Sequence, residues 1–263
     1  MTFKMAVFDV DGTLYDLEEH IVSESSKEAL IALKRNGIIL TIATGRTHYD
    51  LGKTINSIHA DYILAANGGV VVDKNKTILS HCDMTLQECE SLIDFAHKTN
   101  AGLVFKFPEH MYIYQYPEKI DWLEGQMNSD IGKDPFIFPT EQTHHLKELP
   151  QSACIHADPE LVEQFAKTST LSFKQYSADG YDVAPHGINK GTGIKSLISI
   201  LNLKPEEVVS FGDNYNDKEM MESTGYRVAM GNAVEDIKNM ADFVTKSVTE
   251  DGIAYALKQL KMI

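Results

Sequence analysis

The chain has 263 residues, of which 24 are basic and 38 are acidic, so its formal net charge is −14 at pH 7. An acidic surface repels phosphate backbones and anionic lipid headgroups, and no run of lysines and arginines offsets it, which argues against a nucleic-acid or membrane-surface protein. The 43% hydrophobic and 24% charged content is typical of a globular chain, and the length permits one large domain or two smaller ones.

The cysteines and the N-terminus indicate a reducing compartment. Cys82, Cys89 and Cys154 are odd in number and match neither a CxxC pair nor a zinc-ligand spacing. Asp9 interrupts the apolar stretch that a signal peptide would need, and no window approaches the about 20 apolar residues of a membrane span. We therefore expect inert thiols and a cytoplasmic protein.

The first third of the chain alternates strands with helices. Short apolar runs predict buried strands at 5–8, 38–43 and 62–65. A helix after the first strand is predicted to begin at a capping box of Ser25 and Glu28 and to end at Gly37. A second helical stretch is predicted from near Tyr49. This order of elements is typical of an open α/β sheet.

The middle third has a different pattern. A β-hairpin is predicted over residues 70–79. Thr85 and Glu88 form a capping box, which predicts a helix that continues to Asn100. The remaining predictions are an antiparallel strand pair at 103–107 and 111–116, a helix at 118–130 and an irregular segment at 134–150.

The alternation of strands and helices resumes in the last third. The predicted elements are a helix at 191–201, a strand at 208–211, a helix near Met220, a strand at 227–229 and a C-terminal helix. The fold class is therefore α/β, with a doubly wound, Rossmann-like parallel sheet as its core. We predict that this core consists of residues 1–83 and 185–263 and is interrupted by an inserted α/β domain, residues 84–184.

Two aspartates follow the first predicted strand directly, in the segment DVDGT at 9–13. On an extended backbone Asp9 and Asp11 point the same way, so their carboxyl groups should meet at the end of the strand where open α/β sheets bind ligands. One could attack an electrophile while the other transfers protons. Gly12 permits the sharp turn that follows. A surface turn with two aspartates is the alternative that this pair alone leaves open.

Two further segments could hold a phosphate group. Thr44, Gly45 and Arg46 end the second predicted strand, where a hydroxyl and backbone N–H groups can bind phosphate oxygens, although an ordinary turn would also explain them. Lys190 precedes a predicted helix and could neutralise the charge of a transferring phosphoryl group. A single lysine is, however, more typical of a solvated surface.

Additional carboxylates follow the strand at 208–211. Asp213 and Asp217 occur there in the segment GDNYND. In a doubly wound sheet this strand lies beside the first one, so these carboxylates would join Asp9 and Asp11. Such a cluster of hard oxygen ligands suits Mg²⁺.

Together these segments resemble the four motifs of the haloacid dehalogenase (HAD) superfamily of phosphotransferases. The motifs occur in the expected order: DVDGT at 9–13, Thr44 with Gly45-Arg46, Lys190 with Gly191, and GDNYND at 212–217. The insertion after the second motif and the pair Asn67-Gly68 are similar to the Cof-like phosphatase branch, which has a large α/β cap. The resemblance covers essentially the whole chain and implies that residues 84–184 form such a cap.

The resemblance also implies a role for each motif residue. Asp9 would be the nucleophile and Asp11 the general acid/base. Mg²⁺ would be bound by the Asp9 side chain, the Asp11 backbone carbonyl and Asp213, while Asp217 would support the metal or Lys190. The residues implied to contact the phosphoryl group or the substrate are Thr44, Gly45, Lys190 and Asn216, and Arg46 would either organise the loop or touch the substrate.

The implied function is a Mg²⁺-dependent phosphatase that hydrolyses small phosphate monoesters, such as sugar phosphates, through an aspartyl phosphate. A phosphomutase would use the same intermediate. A phospho-aspartate regulator would use the same residues, but the about one hundred inserted residues favour an enzyme with a covered site. The expected partner is a small phosphorylated metabolite, with neither nucleic acid nor membrane, and the sequence leaves a monomer and a weak dimer as alternatives.

Two patterns in the predicted insertion are weaker. Tyr112, Tyr114 and Tyr116 alternate on a predicted strand, which is more typical of strand packing than of a substrate-binding face. His144 and His145 are adjacent, so their side chains diverge, and no further ligand spacing accompanies them. We predict a solvated loop at this pair rather than a metal site.

Overall fold

The computed structural model describes residues 2–115 and 136–263, and its internal contacts divide it into two units. The first unit comprises Met1–Ser80 and Asn189–Ile263, and the second comprises His81–Ile188. The sequence analysis places the corresponding boundaries after residues 83 and 184. The assignment of the units as catalytic core and cap stays a prediction.

Strands and helices alternate through most of the described chain. In chain order the strands are β1 (Met5–Asp9), β2 (Ile39–Ala43), β3 (Tyr62–Ala65), β4 (Val70–Asp73), β5 (Ile78–His81), β6 (Gly102–Lys106), β7 (Met111–Gln115), β8 (Phe136–Ile137), β9 (Ser152–His156), β10 (Leu171–Gln175), β11 (Gly180–Pro185), β12 (Val208–Gly212), β13 (Tyr226–Ala229) and β14 (Phe243–Val244). The α-helices are α1 (Glu24–Arg35), α2 (Gly52–Asn56), α3 (Leu86–Thr99), α4 (Pro159–Ala166), α5 (Lys190–Ile200), α6 (Lys218–Glu222), α7 (Glu235–Met240) and α8 (Gly252–Gln259).

The first unit contains an eight-stranded sheet with the order β14-β13-β12-β1-β2-β3-β4-β5. The strands from β14 to β3 are parallel, and β4 pairs antiparallel with β3. β1 lies in the middle, with Met5 opposite Val208 on one side and opposite Ile39 on the other. The chain therefore builds the sheet outward in both directions from β1, which confirms the predicted doubly wound α/β core.

The side chains of β1 alternate between two buried faces of this sheet. Ala6 and Phe8 belong to the apolar cluster that includes α1, α2, α7 and α8. Met5 and Val7 belong to the cluster on the other face, with α5 and α6. Because both faces are covered, the parallel strands are mostly apolar, which is the pattern that predicted them.

The start of α1 differs from its prediction. The N-cap is Ser23, whose hydroxyl accepts a hydrogen bond from the N–H of Ser26 at 3.2 Å, so the predicted capping box of Ser25 and Glu28 is wrong. Two serines close together offer the same local capping chemistry, and the pattern alone does not select between them. Gly37 follows the helix with φ +79°, as predicted.

Of the next two predicted helices, the first is shorter than expected and the second begins as predicted. The helix predicted from near Tyr49 begins only at Gly52 and has five residues. The capping box of α3 is confirmed, because Thr85 Oγ1 accepts from the N–H of Glu88 at 3.2 Å and the Glu88 carboxylate accepts from the N–H of Thr85 at 2.7 Å.

The second unit contains a six-stranded sheet with the order β10-β11-β9-β6-β7-β8. The predicted antiparallel pair is confirmed for β6 and β7. One face of the sheet packs on α3 and α4 through an apolar cluster that includes Leu92, Phe105 and Val162. The sequence patterns did not predict β9, α4 and β10, and the helix predicted at 118–130 lies outside the described residues.

His144 and His145 do not form a solvated loop, so that prediction is wrong. They lie in a 3₁₀ turn, and His145 is 7% exposed. The hydroxyl of Tyr114 contacts the backbone N–H of His145 at 2.9 Å and its Nδ1 at 3.1 Å. His144 stacks on Tyr112 with 4.1 Å between ring centroids. These two tyrosines pack within the unit as predicted, while Tyr116 lies outside the described residues.

The cysteines are free thiols, of which Cys89 and Cys154 are buried and Cys82 is partly buried. Burial raises the pKa of Cys89 to about 12 and that of Cys154 to about 11, so both remain protonated at neutral pH. Across residues 2–115 and 136–263, no helix combines the length and the apolar character needed to span a membrane.

Candidate active site

The predicted site residues of the first unit lie at the carboxyl ends of neighbouring parallel strands. Asp9 is the last residue of β1, Thr44 follows β2, and Asp213 follows β12. β1 is hydrogen-bonded to both β2 and β12, which are parallel to it and lie on its opposite sides. From β1 the chain adds strands on one side and later on the other, so the strand order reverses here. Open α/β sheets bind ligands at such a reversal of strand order.

A tight turn after β1 gives the two motif aspartates different surroundings. The carbonyl of Val10 accepts hydrogen bonds from the N–H groups of Thr13, Leu14 and Tyr15. Gly12 lies in this turn with φ +89°, a conformation that favours glycine. Asp9 is 5% exposed, whereas the Asp11 side chain is 37% exposed. Each carboxylate binds its own cationic partner, Lys190 for Asp9 and Arg46 for Asp11.

Lys190 is buried between two carboxylates. Its Nζ donates to Asp9 Oδ1 and, at 2.6 Å, to Asp217 Oδ1. The side chains of Lys190 and Asp217 are fully buried. Burial lowers the pKa of Lys190, but the charges of Asp217 and Asp9 outweigh this effect and raise it. The lysine is therefore charged at neutral pH and is not the solvated surface residue that a lysine in isolation suggests.

The 3₁₀ turn Ala66–Gly68 packs closely against the N-terminus of α5. Asn189 caps this helix, its side chain accepting from the N–H of Thr192 at 3.0 Å. Gly68 has φ +89°, and a Cβ there would overlap the Asn189 carbonyl oxygen and lie 2.9 Å from its carbon. Only glycine permits this approach, so Gly68 helps to place Lys190, the first residue of the helix.

Asp9, Asp213 and Asp217 form an acidic cluster, in which a carboxylate oxygen of each lies within 4.8 Å of the others. Burial and the charge of Asp217 raise the pKa of Asp213 to about 6, although Thr13 Oγ1 donates to it at 2.9 Å. Burial, together with the charge of Asp217, also raises the pKa of Asp9 well above its usual value, against the opposing effect of Lys190. A cation at the cluster would relieve this repulsion.

Asp217 uses both of its carboxylate oxygens inside the protein. Oδ1 accepts from Lys190, and Oδ2 accepts from the backbone N–H groups of Asp213 at 2.9 Å and Asn214 at 3.1 Å. Asp217 thus holds both the lysine and the loop that carries Asp213. Asn216 lies partly buried in the same turn, and its contact with a phosphoryl group stays a prediction.

Arg46 forms a bidentate ion pair with Asp11. Its Nη2 donates to Oδ1 at 2.6 Å and its Nε donates to Oδ2 at 3.2 Å. The backbone N–H of Arg46 donates to Thr44 Oγ1 at 3.1 Å, so the hydroxyl predicted to hold phosphate shapes this loop. The Tyr15 ring lies against the guanidinium, with Cζ 5.5 Å from the ring centroid.

The sequence analysis missed Asn232, which supports the turn after β1. Its Nδ2 donates to the carbonyl of Gly12 at 2.8 Å, and its Oδ1 accepts from the N–H of Val248 at 2.9 Å. Asn232 follows β13, the strand beside β12, and therefore lies near the same edge of the sheet as Asp213. A polar side chain soon after a predicted parallel strand was the signal that could have found it.

Gly12→Ala is expected to lower the free energy of unfolding by about 2–4 kcal/mol, since a Cβ adds backbone strain and overlaps a charged side chain. The added atom would overlap Asp213 Oδ2 and lie 2.9 Å from its Cγ. Urea denaturation followed by circular dichroism measures the loss. Gly37→Ala is the matched control, because Gly37 has φ +79° but no atom within 4 Å of the added Cβ. Equal losses in the two variants would show that the overlap with Asp213 is unimportant.

Comparison with known proteins agrees with this fold. A family model of haloacid dehalogenase-like hydrolases matches residues 6–257. YkrA of Bacillus subtilis (strain 168) is 31% identical over 265 residues, with 100% of both chains covered. Among solved structures, BT1666 from Bacteroides thetaiotaomicron is 29% identical with a TM-score of 0.87, covering 100% of this chain and 96% of that one. The HAD subclass IIB sugar phosphatase BT4131 is 26% identical with a TM-score of 0.87, covering 99% and 100%.

A doubly wound sheet whose central strand presents an aspartate to a buried lysine, beside further carboxylates, is an arrangement suited to phosphoryl transfer. The chain belongs to the haloacid dehalogenase-like hydrolases. The predicted enzyme class, a HAD-like phosphatase of the Cof-like branch, is confirmed by the family match together with these relatives.

Proposed function

We propose that this protein is a Mg²⁺-dependent phosphatase that hydrolyses small phosphate monoesters through an aspartyl phosphate on Asp9. The observation that best supports the proposal is the buried contact between Lys190 and Asp9 beside two further carboxylates. The relative BT4131 is described as a sugar phosphatase, which supports sugar phosphates or related metabolites as the substrate class.

The donor set fits Mg²⁺. Asp9 and Asp213 offer hard carboxylate oxygens within 4.8 Å of one another, and both have raised pKa values that a nearby cation would lower. We propose that the Asp9 side chain, the Asp11 backbone carbonyl and Asp213 hold the ion, while Asp217 holds Lys190. Bound Mg²⁺ would offset the repulsion between the carboxylates and an anionic substrate.

In the first half of the proposed reaction, a carboxylate oxygen of Asp9 attacks phosphorus. The bond between phosphorus and the ester oxygen breaks, and that oxygen leaves as an alcohol with a proton from Asp11, which enters this step protonated and with one hydrogen bond from Arg46 instead of two. Lys190 lies against the attacking carboxylate, so its charge stabilises the phosphoryl oxygens as they move. Thr44, with the N–H of Gly45, would orient the phosphoryl group.

In the second half, a water molecule attacks the phosphorus of the aspartyl phosphate. The Asp11 carboxylate accepts a proton from this water, and cleavage of the acyl phosphate releases inorganic phosphate and restores Asp9. The bidentate contact of Arg46 keeps Asp11 oriented for this role. Asn216 is also our proposed contact for the phosphoryl group, whereas we assign Arg46 to the orientation of Asp11 and not to the substrate.

The test is phosphate release from a panel of phosphorylated metabolites, with Mg²⁺ and with EDTA, ranked by kcat/KM. Hydrolysis of at least one small monoester, lost in EDTA and restored by Mg²⁺, is the expected result. A wild-type protein that releases no phosphate from any member would contradict the proposal. Interconversion of sugar-phosphate isomers without free phosphate, seen by NMR, would identify a mutase instead.

Asp213→Asn should stabilise the metal-free protein more at pH 8 than at pH 4. Because the folded-state pKa of Asp213 is raised from 3.8 to about 6, the folded state binds more protons than the unfolded state between these values. The wild-type protein therefore loses stability from this group as the pH rises through 4–6, and the asparagine variant does not. The difference in free energy of unfolding between the variant and the wild type should grow by about 1–3 kcal/mol from pH 4 to pH 8. Urea denaturation in the presence of EDTA measures it. A difference independent of pH would contradict this assignment, and saturating Mg²⁺ should remove the advantage of the variant.

A further inference from the structure

Tyr15 supports the turn that carries Asp11 through its backbone. Its carbonyl accepts from the N–H of Gly12 at 2.9 Å, and its own N–H donates to the carbonyl of Val10 at 2.8 Å. Residues 11 and 15 also form an isolated β-bridge. With 5% of its surface exposed, Tyr15 is part of the buried structure beneath the turn. It lies outside the DVDGT segment, so no motif drew attention to it.

The side chain of Tyr15 supports the cation that Asp11 binds. The Arg46 guanidinium carbon lies 5.5 Å from the centroid of the Tyr15 ring, within the range of a cation–π contact. The same guanidinium forms two hydrogen bonds with the Asp11 carboxylate, at 2.6 and 3.2 Å. A planar group held by a ring on its face and by a carboxylate at its edge has little freedom to rotate. Tyr15 thus contacts Arg46 through its ring and pairs with Asp11 through its backbone.

We propose that Tyr15 is a positioning residue for the proton-transferring carboxyl group of Asp11 and acts through Arg46. The inference rests on the proposed function, in which Asp11 protonates the leaving alcohol. Proton transfer requires the carboxyl group to lie within hydrogen-bond distance of the ester oxygen, so a less constrained carboxyl group transfers the proton less efficiently. The Tyr15 ring lies on the guanidinium that binds Asp11, so we expect its removal to act on proton transfer by Asp11 more than on nucleophilic attack by Asp9.

The leaving group distinguishes this role from a general structural one. An alkyl phosphate releases a strongly basic alkoxide and needs a proton from Asp11, whereas p-nitrophenyl phosphate releases a stable phenolate that needs little protonation. The two substrates share the phosphoryl group, Asp9 and Lys190. The ratio of their kcat/KM values therefore reports on proton donation, because kcat/KM covers the reaction only up to release of the leaving group.

The decisive variant is Tyr15→Leu, which keeps the backbone hydrogen bonds and an apolar side chain but removes the ring. We expect kcat/KM to fall about tenfold for the alkyl monoester that wild type hydrolyses best, and less than about twofold for p-nitrophenyl phosphate. Tyr15→Phe keeps the aromatic ring and should therefore keep the wild-type ratio of the two kcat/KM values. Arg46→Lys keeps the positive charge but cannot form both hydrogen bonds with Asp11, so kcat/KM should again fall for the alkyl monoester and not for p-nitrophenyl phosphate. This variant tests the contact through which Tyr15 acts if Tyr15→Leu folds poorly.

Tyr255→Leu is the matched control for loss of a ring that contacts a cation. Lys246 Nζ lies 5.0 Å from the Tyr255 ring centroid, in the same unit of the protein. This variant should lower the melting temperature without changing the ratio of the two kcat/KM values. A changed ratio in Tyr255→Leu would mean that the ratio responds to stability and would overturn the inference.

Two further outcomes would overturn the inference in an active wild-type enzyme. One is an equal fall for both substrates in Tyr15→Leu and Arg46→Lys, and the other is no fall for either substrate. A wild-type enzyme that hydrolyses neither the metabolite panel nor p-nitrophenyl phosphate would instead overturn the proposed phosphatase, and the inference with it. The two failures are therefore distinguished by the activity of the wild-type protein.

Discussion

Asp9→Asn is expected to abolish phosphate release, lowering kcat by about 10⁴-fold or more. The amide is a far weaker nucleophile than the carboxylate, so the aspartyl phosphate should not form. The fold should survive, because the substitution removes one of two buried negative charges around Lys190 and leaves the contact with Asp217. Phosphate release with the best substrate measures the activity, and circular dichroism checks the fold.

Asp11→Asn is the matched variant for this experiment. It keeps the nucleophile but loses the base that activates water, so p-nitrophenyl phosphate should give a burst of p-nitrophenol and a protein heavier by one phosphoryl group. Asp9→Asn should give neither signal. A phosphorylated Asp9→Asn protein, or one with wild-type activity, would show that another residue is the nucleophile.

Lys190→Met is expected to lower both stability and activity strongly. Methionine matches much of the length of lysine but leaves the buried carboxylates of Asp9 and Asp217 without their cation. Breaking a buried ion pair in this way costs about 3–5 kcal/mol. Loss of the charge beside the phosphoryl group should lower kcat by about 10³-fold. Urea denaturation in EDTA and phosphate release with Mg²⁺ measure the two effects separately.

A double variant tests the reason for that loss. Asp217→Asn removes one of the two buried charges, and the asparagine oxygen still accepts from the N–H groups that Asp217 Oδ2 binds. Lys190→Met with Asp217→Asn should therefore recover at least about half of the lost stability and remain almost inactive. A double variant as unstable as Lys190→Met would mean that lost packing, and not uncompensated charge, causes the instability.

Local sequence chemistry predicted much of the first unit. Strand β3 matches its predicted range of 62–65, because a short apolar run buried on both faces of a parallel sheet needs no information from elsewhere in the chain. The capping box of Thr85 and Glu88 was equally predictable, since both hydrogen bonds lie within four residues. The prediction that Ser25 caps the first helix was wrong, because Ser23 offers the same capping hydroxyl two residues earlier.

Residues whose roles depend on distant partners were harder to predict. His145 was expected in a solvated loop, yet Tyr114, 31 positions away, binds it in a buried contact. The pairing of the Asp11 carboxylate with Arg46, 35 positions away, was not predicted either. No pattern of neighbouring residues encodes such contacts, because they form only when separate strands come together.

The sequence by itself determined the class of this protein. The order of its strands and helices predicts a doubly wound sheet, because apolar periodicity and turn chemistry are local properties of a chain. The resemblance of four short motifs to those of the HAD superfamily then points to the residues of a phosphatase. Only the tertiary structure decided how those residues are paired and charged. Lys190 reaches Asp9 across 181 positions and Asp217 across 27, and all three side chains are buried. Folding alone creates that low-dielectric environment, in which a lysine typical of a surface becomes the buried cation of the site.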